Sequence, residues 1–76
     1  MNISENFLLE NGFVKKQDDE TYFESTLNSS EPSTTIYVFT DEVSMQIGGN
    51  GKLRTLSIDS EPQLLLFISN LQSVLQ

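Results

Sequence analysis

The sequence predicts an α+β fold: an N-terminal helix, a four- to five-stranded antiparallel β-meander and a C-terminal helix, with both helices packed on one sheet face. Three observations carry this. Segments such as TTIYVFT and VSMQI in the middle of the chain are rich in β-branched and aromatic residues, and VSMQI alternates apolar with polar. An Asn-Gly pair, the preferred tip of a tight hairpin, separates the last two expected strands. Apolar residues at helical spacing are confined to the two ends.

At the N-terminus, NISENFLLENGF reads as a short helix. Asn2 and Glu5 stand three residues apart, as a capping box requires. Ile3, Phe7 and Leu8 fall on one stripe, and Asn11-Gly12 ends the helix with glycine at the left-handed position, so that Phe13 folds back onto the last turn. Residues 13–17 and 21–27 are then the arms of a hairpin turning at Asp18, Asp19 and Glu20. Residues 28–33 form a loop by composition, residues 34–40 a strand, Asp41-Glu42 a turn, residues 43–47 a strand and residues 52–58 the last strand. In DSEPQLLLFISNLQSVLQ, Ser60 caps a helix, Gln63 closes a capping box and Pro62 occupies the first turn. Leu64, Phe67, Ile68, Leu71, Val74 and Leu75 are its expected buried stripe.

The glycine cluster GGNGK is not a phosphate cradle. Counting back from Gly51, a P-loop needs glycine where Gln46 stands, and it needs a hydroxyl residue where Leu53 follows Lys52. A strand also follows the glycines, where a dinucleotide site needs a helix. As a turn the cluster serves well. With Asn50-Gly51 at the tip of a type I′ loop, Ile47 opposes Arg54, Met45 opposes Leu56 and Val43 opposes Ile58. A tip at Gly49-Asn50 is expected to scatter the apolar residues over two faces. A turn at Asp41-Glu42 sets Val38 against Met45 and Ile36 against Ile47. One common apolar face follows: Ile36, Val38, Val43, Met45, Ile47, Leu56 and Ile58, joined by Phe23 and Leu27.

The other face is expected to carry Tyr22, Glu24, Thr26, Tyr37, Phe39, Ser44, Gln46, Leu53, Thr55 and Ser57. Tyr22, Tyr37, Phe39 and Leu53 would form an exposed apolar and aromatic patch, of the kind that marks interfaces. Aromatic pairs across neighbouring strands also stabilise a sheet with no partner involved. Asp18, Asp19, Glu20, Asp41 and Glu42 are expected at one end of the meander as an acidic rim. They lack the spacing and central glycine of a calcium loop, and exposed turns lack the cleft that a catalytic carboxylate pair requires.

At 76 residues the chain is one domain, with a core that leaves little room for an enclosed active site. It has no cysteine and no histidine, which removes thiolate metal sites, disulfides, and Ser/His/Asp or Cys/His catalysis. No catalytic, cofactor-binding or metal-binding residue is expected, and a non-enzymatic role is. Eleven carboxylates against four basic residues make a net charge of −7, which repels phosphate backbones and disfavours direct nucleic-acid binding. Lys52 and Arg54, near the hairpin tip, are expected to guard a strand edge or to pair with neighbouring carboxylates. The first residues contain no signal-peptide pattern, and the longest apolar run, LLLFI, is too short to span a bilayer, so a cytoplasmic protein is expected.

In brevity, acidity and order of elements the whole chain resembles the small proteins of bacteriophages and mobile elements, anti-CRISPR and toxin-immunity proteins among them. That resemblance implies an inhibitor and assigns no residues. Together with the residue-level reading it leads to a protein-binding module acting by occlusion of a partner, favourably a basic one. The alternative is a structural module forming a homodimer through the open sheet face.

Overall fold

The computed structural model describes residues 2–28 and 32–75 of the chain. The elements follow the expected order: α1 (Glu5–Glu10), β1 (Val14–Gln17), β2 (Thr21–Thr26), β3 (Thr34–Val38), β4 (Val43–Ile47), β5 (Arg54–Leu56) and α2 (Glu61–Leu75). The strands form one antiparallel sheet in the order β1-β2-β3-β4-β5, a meander in which each strand pairs with its sequence neighbour. Of the expected loop at 28–33, Ser29, Ser30 and Glu31 lie outside the described residues.

The cap of α1 is Ser4, whose hydroxyl oxygen accepts from the Phe7 N–H at 3.1 Å, and not Asn2. Asn2 is otherwise engaged: its N–H donates to the Asp59 carbonyl at 2.7 Å, in an isolated parallel bridge between Asn2 and Ser60. One turn further on, the Ser4 N–H donates to the Glu61 carboxylate at 2.9 Å. The two helices therefore start side by side, each contributing to the other's N-terminal region. The far end of α1 is as expected. Gly12 has φ +85°, and the Phe13 N–H reaches the Leu8 carbonyl at 3.0 Å, the six-to-one bond of a Schellman motif. Phe13 and Leu8 both join the core.

For α2, the Ser60 hydroxyl oxygen accepts weakly from the Gln63 N–H at 3.4 Å, while the Gln63 side chain reaches back to the Asp59 N–H instead of that of Ser60. Leu64 is fully buried, and Phe67, Ile68 and Leu71 pack partly buried against the core. Val74 departs from the expected stripe at 79% exposure, because the core has ended before the last turn of the helix. Leu75, also expected there, has its side chain outside the described part of the structure.

Both central hairpins differ in register from the sequence expectation. Val43 opposes Leu56 and Met45 opposes Arg54, so the β4–β5 axis passes between Gly49 and Asn50, not Asn50 and Gly51. Gly51 donates to the Gly48 carbonyl at 3.3 Å, and the only positive φ in this loop belongs to Gly48, so no type I′ turn sits at Asn50-Gly51. Similarly, Ile36 opposes Met45 and Val38 opposes Val43, and the Phe39 N–H closes onto the Glu42 carbonyl at 2.8 Å around Thr40-Asp41. Each turn is displaced by one residue. Displacing a two-residue tip by one residue slides the paired strands by two, and two is the side-chain period of a strand. The faces are thus preserved, and the expected scattering does not occur.

Ile36, Val38 and Val43 share one buried cluster with Leu8 of α1, Phe13 and Leu64 of α2, surrounded by partly buried Phe23, Leu27, Met45, Leu56 and Ile58. Ile47 is the exception among the expected apolar face, at 52% exposure. It lies at the last position of β4, and β5 ends its pairing at Arg54, opposite Met45, so no paired strand flanks Ile47 on that side.

Candidate binding surface

The side of the sheet opposite Ile36 is set by register. Glu24 opposes Tyr37 and Thr26 opposes Thr35 across β2 and β3, and Tyr37 opposes Ser44 across β3 and β4. Extending the ladder one rung places Tyr22 beside Phe39. The three rings meet: centroids are 5.6 Å apart for Tyr22 and Phe39, 6.1 Å for Tyr22 and Tyr37, and 6.2 Å for Tyr37 and Phe39, the last pair nearly parallel at 17°. Such spacing is that of interacting aromatic pairs. All three rings are half-buried by one another and by the strands.

Around the rings the polar side chains are already occupied. The Tyr37 hydroxyl donates to Gln46 Oε1 at 3.2 Å, and Gln46 Nε2 donates to the Gly51 carbonyl at 2.7 Å. Glu42 Oε2 accepts from Thr55 Oγ1 at 2.9 Å and from Ser44 Oγ at 3.3 Å. Thr26 and Thr35 share a hydroxyl hydrogen bond at 3.1 Å, and Lys16 pairs with Glu24 at 3.6 Å. These contacts link side chains of neighbouring strands from β1 to β5. They also surround Tyr37, whose phenol is pushed above 10.0, first by burial and then by the nearby Glu24 charge and Tyr22.

The acidic residues divide unevenly. Asp18, Asp19 and Glu20 turn between β1 and β2, and Asp41 and Glu42 lie between β3 and β4, all exposed. In an antiparallel meander these two connections share an end. Tyr22 follows the first of them and Phe39 precedes the second, so the aromatic trio stands at that same end. Leu53 does not join it. It is 53% exposed in the connection entering β5, at the other end of the sheet.

Sequence reasoning missed a notch of about 250 Å³ under the same edge, lined by Ile3, Glu5, Leu8, Phe23, Val38 and Phe39 among others. Phe39 lines this notch and also belongs to the trio. The notch exists because α1 closes against the end of the sheet, a contact no local pattern encodes.

Among the described residues, no three of His, Cys, Asp and Glu gather where they could hold a metal ion. Among them, too, no helix is long and apolar enough to cross a membrane. No family model, curated protein or solved structure matches the chain.

Proposed function

We propose that the protein is a small non-catalytic binding module that occludes a protein partner with the acidic-rimmed end of its open sheet face. The supporting observation is the juxtaposition of the Tyr22, Tyr37 and Phe39 rings with the turns that carry Asp18, Asp19, Glu20, Asp41 and Glu42. Rigid aromatic side chains supply contact area at low entropic cost, and the carboxylates favour a partner with Lys or Arg beside an apolar patch. Charge complementarity would act mainly on association rate and selectivity. The reading takes both helices to lie over the Ile36 face, which the shared burial of Leu8 and Leu64 with Ile36 supports. An inhibitor or immunity role, in the cytoplasm of a cell carrying a phage or mobile element, is the setting that this mode of action suits.

The test is affinity capture from the source cell, read by mass spectrometry. The wild type is compared with a Tyr37→Ala/Phe39→Ala variant and with one whose rim is reversed by Asp18→Lys, Asp19→Lys and Asp41→Lys. A partner retained by the wild type and lost from the aromatic variant is expected, with salt-sensitive capture that reversal weakens. Capture of the same proteins by all three, at unchanged salt dependence, overturns the reading. The second reading, a homodimer through this face, is favoured by the nearly parallel Tyr37–Phe39 pair and opposed by the −7 charge on each copy. Sedimentation at high micromolar concentration decides it: a monomer removes the dimer, and a dimer dispersed by Tyr37→Glu establishes it.

A further inference from the structure

At the end of the sheet away from the acidic turns, we propose that the β4–β5 corner binds an extended acidic peptide segment bearing an apolar side chain. Three independent features meet there.

The first is charge. Of the chain's four basic residues, Lys15 pairs with Glu5 at 3.3 Å and Lys16 with Glu24 at 3.6 Å. Among the described residues no carboxylate pairs with Lys52 or Arg54, so the two cations left unneutralised in a chain of net charge −7 both stand at this corner.

The second is shape. Met45, Ile47, Gly51, Lys52 and Arg54 line a depression of about 210 Å³, the size for one apolar side chain. Ile47 lies in its wall with half its surface exposed.

The third is the backbone. Successive residues of an antiparallel strand turn their N–H and C=O groups to alternate sides. The Phe39 N–H to Glu42 carbonyl bond turns Glu42, and hence Ser44, toward β3, which leaves Val43 and Met45 to bond β5. Arg54 and Leu56 are therefore the residues of β5 bonded to β4, and the Thr55 N–H and C=O point out from the sheet edge.

An added strand would pair its main chain with Thr55 and lay alternate side chains over the Arg54 side of the sheet, about 6.8 Å apart. One apolar side chain enters the depression, and carboxylates two residues before and after it reach Lys52 and Arg54. The same cations turn away basic strands at this edge, so edge protection and acidic selectivity have one cause. This inference does not rest on the open-face reading, since Met45, Ile47 and Arg54 are on the opposite side of the sheet.

The probe is a terminally blocked peptide with the core Glu-Thr-Leu-Thr-Glu, which places Glu, Leu and Glu on one side. Its control carries Lys in place of both Glu. Amide shifts of the labelled protein on titration should saturate and be confined to residues 45–47 and 51–56. The Lys control should leave them unmoved. Replacing the peptide's Leu by Thr should weaken binding by about 10-fold or more. Lys52→Glu/Arg54→Glu should weaken it by at least about 10-fold, with Lys52→Gln/Arg54→Gln intermediate and the remaining amide spectrum of both variants unchanged, which certifies their fold. Absence of shifts at millimolar peptide, equal binding of the control, shifts centred on Tyr22, Tyr37 and Phe39, or unchanged affinity of the charge variants each overturns the proposal. So do dilution-dependent shifts at residues 51–56 without peptide, which would assign the corner to a second copy of the chain.

Discussion

Tyr37 is the residue on which the aromatic trio and its hydrogen bonds converge, packed against two rings and donating to Gln46. Its raised pKa means the folded protein keeps the phenol proton where the unfolded chain has lost it. The unfolded state then binds fewer protons, so stability is unaffected well below pH 10 and falls as pH rises from about 10 through the raised value. Urea unfolding at pH 9 and pH 11 should show a larger loss for the wild type than for Tyr37→Phe, which removes the ionisation but keeps the ring. Equal losses would mean the phenolate costs nothing in the fold. Two glycines illustrate different constraints. Gly12 needs its positive φ and has open space around it, so Gly12→Ala should cost about 1 kcal/mol, and Gly12→Asn less. Gly51 has no positive φ, but a Cβ there would overlap the Ile47 carbonyl oxygen, so Gly51→Ala should cost more than Gly12→Ala. Urea midpoints order the three variants. The sequence reading gives Gly51 a positive φ at a type I′ tip, which it does not have. What demands glycine there is a close approach of two backbone segments and not a dihedral angle, and that was not legible because it depends on the loop's path.

Helices and strands are held unequally. Leu64 anchors α2 from its first full turn, so Leu64→Ala should cost about 2–5 kcal/mol, much of the stability of a domain this size. Val74→Ser, in the exposed last turn, should stay within about 0.5 kcal/mol of the wild type. Ser4→Ala removes the cap of α1 and should cost about 1 kcal/mol, whereas Asn2→Ala should cost less because Asn2 contributes through its backbone. Thermal unfolding of the four variants checks the order. At this scale all seven elements were visible in the sequence, since each depends on local periodicity. Their ends and registers were less so. Strand β5 is Arg54–Leu56 and not residues 52–58, and both turns sit one residue earlier than Asn50-Gly51 and Asp41-Glu42 suggest. Turn propensity among adjacent Gly, Asn and Asp residues differs by little, and inter-strand packing then chooses the slide, subject to keeping the faces.

Across the whole molecule the dominant electrostatic fact is self-repulsion. Against a net charge of −7 the ion pairs among the described residues are Lys15–Glu5 and Lys16–Glu24, both solvent-accessible, and such pairs contribute little. Screening should therefore stabilise the fold. The urea midpoint should rise as NaCl increases from roughly 0.02 to 0.3 M, where the screening length falls to a few ångströms. A falling midpoint would mean that local attractions outweigh the repulsion. The charge is also unevenly spread, with the Asp18–Glu20 and Asp41–Glu42 turns at one end of the sheet and Lys52 and Arg54 toward the other. The two proposed surfaces follow from that separation and differ in the partner chemistry they would select.

The sequence by itself determined the element order, the two faces of the sheet and the acidic character of the surface. Each is written in spacing of two or 3.6 residues, or in a count of charges, and survives any slide that respects the period. Only the tertiary structure decided which residues meet. It brought Tyr22, Tyr37 and Phe39 into contact next to the acidic turns, sent Leu53 to the far end, tied the helix starts through Asn2–Asp59 and Ser4–Glu61, and, among the described residues, paired no carboxylate with Lys52 or Arg54. Those outcomes depend on strand offset and on where each helix meets the core. Both are set by packing the Leu8, Ile36, Val43 and Leu64 side chains into one core.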